Sequence, residues 1–111
     1  MPAEVVTALY RPKPGREPEL RELLRRHLVA LRGSGLITSR PRTLLRAQNG
    51  IYLELFEWKD GAASAHAAHA HPDVGGVWQA MGLVCDFVCL AELLESTQPF
   101  PHFAPQDDLG T

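Results

Sequence analysis

One β-strand of this chain is apolar on both of its faces, and this feature limits the folds available to it. Residues 51–58 read IYLELFEW, and Asn49 and Gly50 precede them. Asn-Gly between two runs of strand-forming residues is a strong hairpin signal, because both central positions of a type I′ turn need positive φ. A strand with apolar side chains on both faces is typical of one that is covered on both sides. The sequence therefore predicts a hairpin with a fully buried second strand.

The other elements complete the order β-α-β-β-α-β. The first strand covers residues 4–10, and a helix with one leucine-rich stripe follows over residues 16–35. After the hairpin comes an Ala-rich helical segment, which His71-Pro72-Asp73 interrupts before a shorter piece around Trp78. A long final strand is predicted over residues 84–95.

This order indicates an α+β protein with the ferredoxin-like arrangement, a four-stranded antiparallel sheet with both helices on one face. The other face of so apolar a sheet also needs cover, and two copies that pack sheet against sheet would provide it. We therefore expect a homodimer, built from a domain over residues 1–96. The Pro-rich C-terminal tail, residues 97–111, is expected to lack regular structure, with Phe100 and Phe103 as its candidate anchors.

The charges are unevenly distributed along the chain. Residues 1–59 hold all eleven Lys and Arg against six acids, whereas residues 60–111 hold seven acids and no base, so +5 and −7 sum to −2. The bases are spaced along a predicted helix and strand without interleaved aromatics, which argues against a nucleic-acid partner. We expect instead that the basic and acidic halves of one chain, or of two copies, attract each other electrostatically.

The sequence offers no sign of a membrane partner. It has no apolar run of about 18 residues or more, and its first ten residues, MPAEVVTALY, lack the basic and apolar regions of a signal peptide. Cys85 and Cys89 are interpreted as two buried thiols in a reducing compartment. We expect a cytoplasmic protein.

A loose pattern of aromatic, histidine and proline residues follows the hairpin. Its most specific part is Phe56-Glu57-Trp58-Lys59-Asp60, which leads into a helix with His66 near its middle. Together with the first strand, the Pro-Gly turn and the Leu-rich helix, this pattern resembles the antibiotic-biosynthesis-monooxygenase-like group of dimeric α+β barrel proteins. The resemblance covers residues 4–95.

The resemblance implies a function as well as a fold. The group includes cofactor-independent oxygenases of aromatics and quinols, haem-degrading enzymes, and small proteins without demonstrated activity. The haem-degrading branch carries an Asn in the first strand, where this chain has Val5, Val6 and Thr7. We therefore expect a monooxygenase-like protein that acts on a small aromatic or quinol without a cofactor. The alternative is a non-catalytic dimeric ligand-binding or stress-associated protein of the same fold.

Three histidines of the Ala-rich segment are candidate site residues. His66 and His69 are three residues apart and share a helix face, and His71 follows. Imidazole titrates near neutral pH and ligates borderline metals. No carboxylate or cysteine stands at matching helical spacing, so no metal site is assigned. His66 is the candidate catalytic base and His69 a candidate substrate-binding residue; the alternative is that His66 packs under the sheet and the other two are solvated.

Aromatic side chains supply the remaining candidates. Trp58, Trp78 and Phe56 are candidate substrate-binding residues, because large rings bind planar molecules by offset stacking; the alternative is that they are ordinary core. Tyr10 and Tyr52 are candidate catalytic residues that could donate to a developing oxyanion. A tyrosine at a strand end also commonly keeps its hydroxyl in water.

Three further polar residues are interpreted as structural. His27 interrupts the leucine stripe of the first helix and is expected to be a satisfied histidine at the core edge. Arg42 and Arg46 lie on one face of the second strand and are expected to pair with Glu54 across the hairpin or with the partner subunit.

Overall fold

A computed structural model describes residues 2–111, which contain one five-stranded sheet and three α-helices. The strands are β1 (Glu4–Pro12), β2 (Thr43–Arg46), β3 (Tyr52–Trp58), β4 (Cys85–Val88) and β5 (Ala104–Pro105). The helices are α1 (Glu17–Ser34), α2 (Ala62–Ala70) and α3 (Pro72–Val84). All strand pairs are antiparallel, in the order β4-β1-β3-β2-β5. The predicted α+β class is confirmed, with five strands instead of four.

Helix α1 forms where the leucine stripe predicts it. A proline stands in its first turn, and Gly35 ends it in the left-handed conformation with a φ of 72°. The buried face consists of the residues of the predicted stripe, which are Leu20, Leu23, Leu24, His27, Leu28 and Leu31. The helix therefore packs on the sheet through a leucine-rich face, and His27 is the one polar residue of that face.

The hairpin between β2 and β3 is confirmed, but its predicted type I′ turn is wrong. The loop is longer, because the Ala47 amide donates to the Ile51 carbonyl at 2.8 Å, which leaves the three residues 48–50 between them. The Gly50 amide donates to the Ala47 carbonyl at 3.0 Å, and Gly50 alone has positive φ among the loop residues. A three-residue loop whose last residue is left-handed gives this geometry.

Strand β3 is buried on its inner face and only partly on its outer face, so the predicted burial of both faces is confirmed in part. On the inner face, Tyr52, Glu54, Phe56 and Trp58 point toward the helices, and all four are nearly inaccessible to solvent. On the outer face, Leu53 packs with Leu9 and Ile51 in a separate apolar cluster. The inner face carries the polar residues of the site described below.

The last predicted strand is shorter than expected. Residues 84–95 were predicted as one strand, but β4 covers only Cys85–Val88. The chain then crosses the outer face of the sheet in a segment of two short 3₁₀ turns, Leu90–Glu92 and Leu94–Thr97. Leu93 of this crossing segment is buried against the outer-face cluster. The chain itself therefore covers part of the face that the dimer was expected to cover, and it does so with a residue predicted to be in the strand.

The C-terminal tail is packed and partly regular, so the expectation that it lacks regular structure is wrong. Ala104–Pro105 pairs with β2 as the edge strand β5. Leu109 is buried in the inner core, and the Arg42 amide donates to the Thr111 carbonyl at 2.7 Å. Of the two candidate anchors, Phe103 packs on the outer-face cluster and Phe100 is 83% exposed. Leu109 anchors the tail to the inner core.

The uneven charge distribution is used within one chain. Arg21 of the basic half binds Asp108 of the tail at 2.7 Å, and Arg11 binds Glu92 of the crossing segment at 2.9 Å. Both cysteines are free; Cys85 is buried as expected, whereas Cys89 is exposed because it lies beyond the end of β4. Across residues 2–111, no helix combines the length and the apolar character needed to cross a membrane.

Candidate functional site

A cleft of about 810 Å³ lies between the inner face of the sheet and the helices α2 and α3. This volume is in the range of small-molecule sites, which is about 300–1,000 Å³. The side chains that form its walls come from β1, β3, β4 and all three helices, and most are aromatic or small. The aromatic and imidazole members are Tyr10, His27, Phe56, Trp58, His69, His71, Trp78 and Phe87.

The rings of the cleft meet one another edge to face. Phe56 and Trp58, two residues apart on the inner face of β3, have ring centroids 4.8 Å apart. The His69 and Trp78 rings are also 4.8 Å apart and bring α2 and α3 together, whereas Tyr10 and Phe87 meet at 5.7 Å. Such pairs hold their rings in fixed orientations. The cleft wall is therefore built of aromatic rings, of which Phe56 and Trp58 are nearly buried and Trp78 and His69 are more exposed.

A buried carboxylate lies beneath the aromatic wall. Glu54 stands on the inner face of β3, opposite Ala8 of β1 and Leu44 of β2, and its side chain is completely buried. Its Oε1 accepts a hydrogen bond from the Tyr10 hydroxyl at 2.6 Å. Its Oε2 is 3.0 Å from Arg42 Nη1 and 3.0 Å from His27 Nδ1. The charge of the carboxylate is thus balanced by a buried guanidinium.

The pKa values of the carboxyl and of the tyrosine move in opposite directions. Burial alone would raise the pKa of Glu54, but its interactions with His27, Arg42 and Tyr10 outweigh burial and leave the pKa below its ordinary value. Burial raises the pKa of Tyr10 well above its ordinary value, and the charge of Glu54 raises it further. At neutral pH the site therefore contains a carboxylate and a protonated tyrosine.

Hydrogen bonds assign the tautomer of His27. The indole N–H of Trp78, which can only donate, lies 2.9 Å from His27 Nε2. The Nε2 atom must therefore accept, so the ring proton resides on Nδ1 and is donated to Glu54 Oε2. His27 is a neutral imidazole between a carboxylate and an indole, and its ring is one of those that line the cleft. The carboxylate of Glu54 can thus orient the His27 imidazole, which is the arrangement that a general base requires.

Two predicted catalytic residues do not lie on the cleft. His66 is exposed on α2, so it neither packs under the sheet nor contributes to the cleft wall. The Tyr52 hydroxyl donates to Glu17 Oε1 at 2.7 Å and accepts from Arg21 Nη1 at 3.0 Å. Tyr52 is therefore committed to the start of α1, whereas the third candidate, Tyr10, does line the cleft.

The structure brings the four predicted substrate-binding residues together. Phe56, Trp58, His69 and Trp78 all line the cleft, although they come from three different elements. The next histidine, His71, lines the same cleft, and its Nδ1 accepts from the Asp73 amide at 3.2 Å, which caps α3. Among residues 2–111, no group of three or more His, Cys, Asp or Glu side chains is arranged to hold a metal ion.

Sequence reasoning did not assign His27 and Glu54 to the site. Glu54 was expected to pair with an arginine across the hairpin, and its bond to Arg42 confirms that pairing; Arg46 binds Glu17 instead, at 3.0 Å. Two features of the sequence could have indicated them: Glu54 is a carboxylate within an otherwise apolar strand, and His27 is a histidine within a leucine stripe. Each of these buried polar residues requires a partner.

Comparisons with known proteins identify no relative of this chain. No family model matches it, and neither a curated protein nor a solved structure matches it. The geometry of the cleft is therefore the basis for the functional conclusion.

Proposed function

We propose that the cleft binds a small aromatic or quinol and that the protein is a cofactor-independent monooxygenase-like enzyme. The observation that carries the proposal is the neutral His27 imidazole, which a buried carboxylate orients at an aromatic-lined cleft. Phe56, Trp58 and Trp78 would hold the ring of the ligand, and His27 would receive its phenolic proton. The base is thus His27 and not His66, because His66 is absent from the cleft wall.

The chemistry proposed needs only the substrate and dioxygen. Transfer of the phenolic proton to His27 Nε2 leaves an electron-rich phenolate, while Nδ1–H stays bound to Glu54. A ring carbon of the phenolate then forms a bond with dioxygen, and the O–O bond breaks. For a hydroquinone the balance is one quinol and one dioxygen to one hydroxyquinone and one water. The ring gives up all four electrons, so no external reductant takes part.

Tyr10 has a positioning role in this proposal. Its hydroxyl proton is donated to Glu54 Oε1, so the hydroxyl helps to hold the carboxylate and does not serve as a base. Its raised pKa, caused first by burial, keeps that proton in place at neutral pH. Tyr52 is left without a catalytic role, because both of its hydrogen bonds are made at the start of α1.

Dioxygen uptake with methylhydroquinone tests the catalytic role. The wild type is expected to consume dioxygen faster than the uncatalysed reaction and to form hydroxyquinone. His27→Gln keeps a polar side chain but cannot carry the proton, and we expect a loss of about 100-fold or more. His66→Gln is the matched control and should leave the rate unchanged. Equal rates for the two variants, or a loss confined to His66→Gln, would refute the assignment of the base.

A non-catalytic ligand-binding protein is the second candidate, and one observation favours it. In the structure the Trp78 indole N–H is bonded to the His27 nitrogen that would act as the base. Under this alternative the quinol binds to the cleft but dioxygen uptake stays at the uncatalysed rate. Binding and uptake measured on the same sample therefore separate the two functions.

The fold proposed for residues 1–96 is a ferredoxin-like unit that forms a dimeric α+β barrel. Support comes from the strand order β4-β1-β3-β2, to which the tail adds β5. The crossing segment leaves one half of the outer face open, where Val5 is 50% exposed and Leu55 is half-buried, and Leu94 adds a 60% exposed side chain. A second copy would cover these apolar groups. Light scattering should then report a dimer for the wild type and a monomer for Val5→Lys.

The compartment proposed is the cytoplasm. Its support is the state of the two cysteines, which are both free although one of them is exposed.

A further inference from the structure

The nitrogen of His27 that faces Trp78 can accept only one hydrogen bond. In the structure the indole N–H of Trp78 supplies that bond, with 2.9 Å between Nε2 and Nε1. The other ring nitrogen is committed to Glu54. Any ligand group that binds His27 through a hydrogen bond must therefore displace the indole.

Trp78 is placed so that it can be displaced. Its side chain is half-buried, and its ring lies on the cleft, edge to face with the exposed ring of His69. A tryptophan at the boundary between core and solvent can satisfy its N–H with water after a rotation. By contrast, Glu54 and Arg42 are completely buried, so the partner on the other side of His27 is fixed.

We infer that Trp78 is an internal competitor for the ligand's position on His27, so that the cleft selects aromatic molecules carrying a free hydroxyl group. This inference rests on the proposed aromatic-binding function and specifies the ligand class. A phenolic hydroxyl replaces the indole because it donates the same hydrogen bond to Nε2, and the phenol O–H is the more acidic donor. The ring of the ligand then lies against Phe56 and Trp58.

The same geometry predicts what the cleft rejects. An aryl methyl ether has no proton to donate, so it cannot replace the indole on Nε2. Sites built to bind a hydroxyl reject analogues that lack it, because a buried polar atom would otherwise be left unpaired. An ether of the same size must therefore bind beside an undisturbed Trp78 and gains only ring contacts.

Calorimetric titration of the purified protein tests this inference with two probes, hydroquinone and 1,4-dimethoxybenzene. The wild type should bind hydroquinone about tenfold more tightly or better, which corresponds to one hydrogen bond. Trp78→Phe keeps a ring in the wall but removes the competing donor. This variant should bind hydroquinone several-fold more tightly than the wild type, and its affinity for the ether should change less than twofold. Trp58→Phe is the matched control and should change the affinities for both probes by the same factor.

Three other outcomes would overturn the inference. Equal affinities for the two probes would remove the role of the hydroxyl while leaving the aromatic cleft in place. If Trp78→Phe left the ratio of the two affinities unchanged, or changed both affinities by the same factor as Trp58→Phe does, Trp78 would not be a competitor. Binding of neither probe, by the wild type or by Trp78→Phe, would overturn the proposed aromatic-binding function together with this inference.

Discussion

Replacing Arg42 with methionine would leave the carboxylate of Glu54 buried without the guanidinium that lies against it. The Arg42 side chain is completely buried, and Nη1 lies 3.0 Å from Glu54 Oε2 and 2.6 Å from the Leu24 carbonyl. Nη2 donates to the carbonyls of Leu109 and Gly110 at 2.8 and 3.0 Å. One substitution thus removes the charged partner of Glu54 and two hydrogen bonds from a side chain to the tail.

The magnitude follows from these contacts. Breaking a buried ion pair by removing one partner costs about 3–5 kcal/mol, because the remaining charge is uncompensated. Total stabilities of domains are about 5–15 kcal/mol, so Arg42→Met should lose a large part of the free energy of unfolding. With a urea slope of about 1.5 kcal/mol per M, a loss of about 4 kcal/mol lowers the unfolding midpoint by roughly 2.7 M.

Urea unfolding followed by circular dichroism measures this loss, and a double-mutant cycle identifies its cause. If the unpaired charge is the cause, Arg42→Met combined with Glu54→Gln should cost less than the sum of the two single variants, by about 1–3 kcal/mol. The exposed Arg26 on α1 gives the matched control, and Arg26→Met should change stability by less than about 0.5 kcal/mol. A loss below about 1 kcal/mol for Arg42→Met, or strictly additive variants, would refute the reasoning.

Three further predictions concern pH, the tail and the thiols. The pKa of Glu54 is lowered in the folded protein, so its contribution to stability is complete above the ordinary carboxyl pKa of about 4.3 and is lost as the pH falls through the folded value. The free energy of unfolding should therefore fall less between neutral and acidic pH in Glu54→Gln than in the wild type. Leu109→Ala should lower the free energy of unfolding in urea by about 2–5 kcal/mol, as for other buried leucines, although Leu109 belongs to the tail. Cys89 should react with a maleimide well before Cys85, because burial raises the pKa of the Cys85 thiol to about 11; equal labelling rates in the native protein would contradict this.

The parts of the fold that depend on local pattern were predictable from the sequence. The leucine stripe of α1, the hairpin and the interruption before α3 are set by residue types at fixed short spacings, and all three are confirmed. The final strand was predicted too long. Leu93 is buried in an apolar cluster although it lies in a segment that crosses the sheet, and an apolar residue in a strand would look the same in the sequence. Apolar pattern alone does not separate these two arrangements.

The candidate site was predictable only in part, for a related reason. The rings of Phe56, Trp58 and Trp78 were assigned to it because large aromatics are recognisable in any context. The pairing of His27 with Glu54 joins residues 27 positions apart, and the Trp78 contact joins residues 51 positions apart. Such contacts depend on how α1 and α3 pack on the sheet, which no local spacing encodes. His66 was favoured because it is central in its helix, but that part of the helix faces solvent.

The most direct test of the proposed site is a crystal structure of the protein with bound hydroquinone. We expect the ring to lie between Phe56, Trp58 and Trp78. One hydroxyl oxygen should be about 2.6–3.2 Å from His27 Nε2, and the Trp78 indole should be displaced from that nitrogen. Hydroquinone bound elsewhere, or bound in the cleft with the Trp78–His27 hydrogen bond intact, would contradict this expectation.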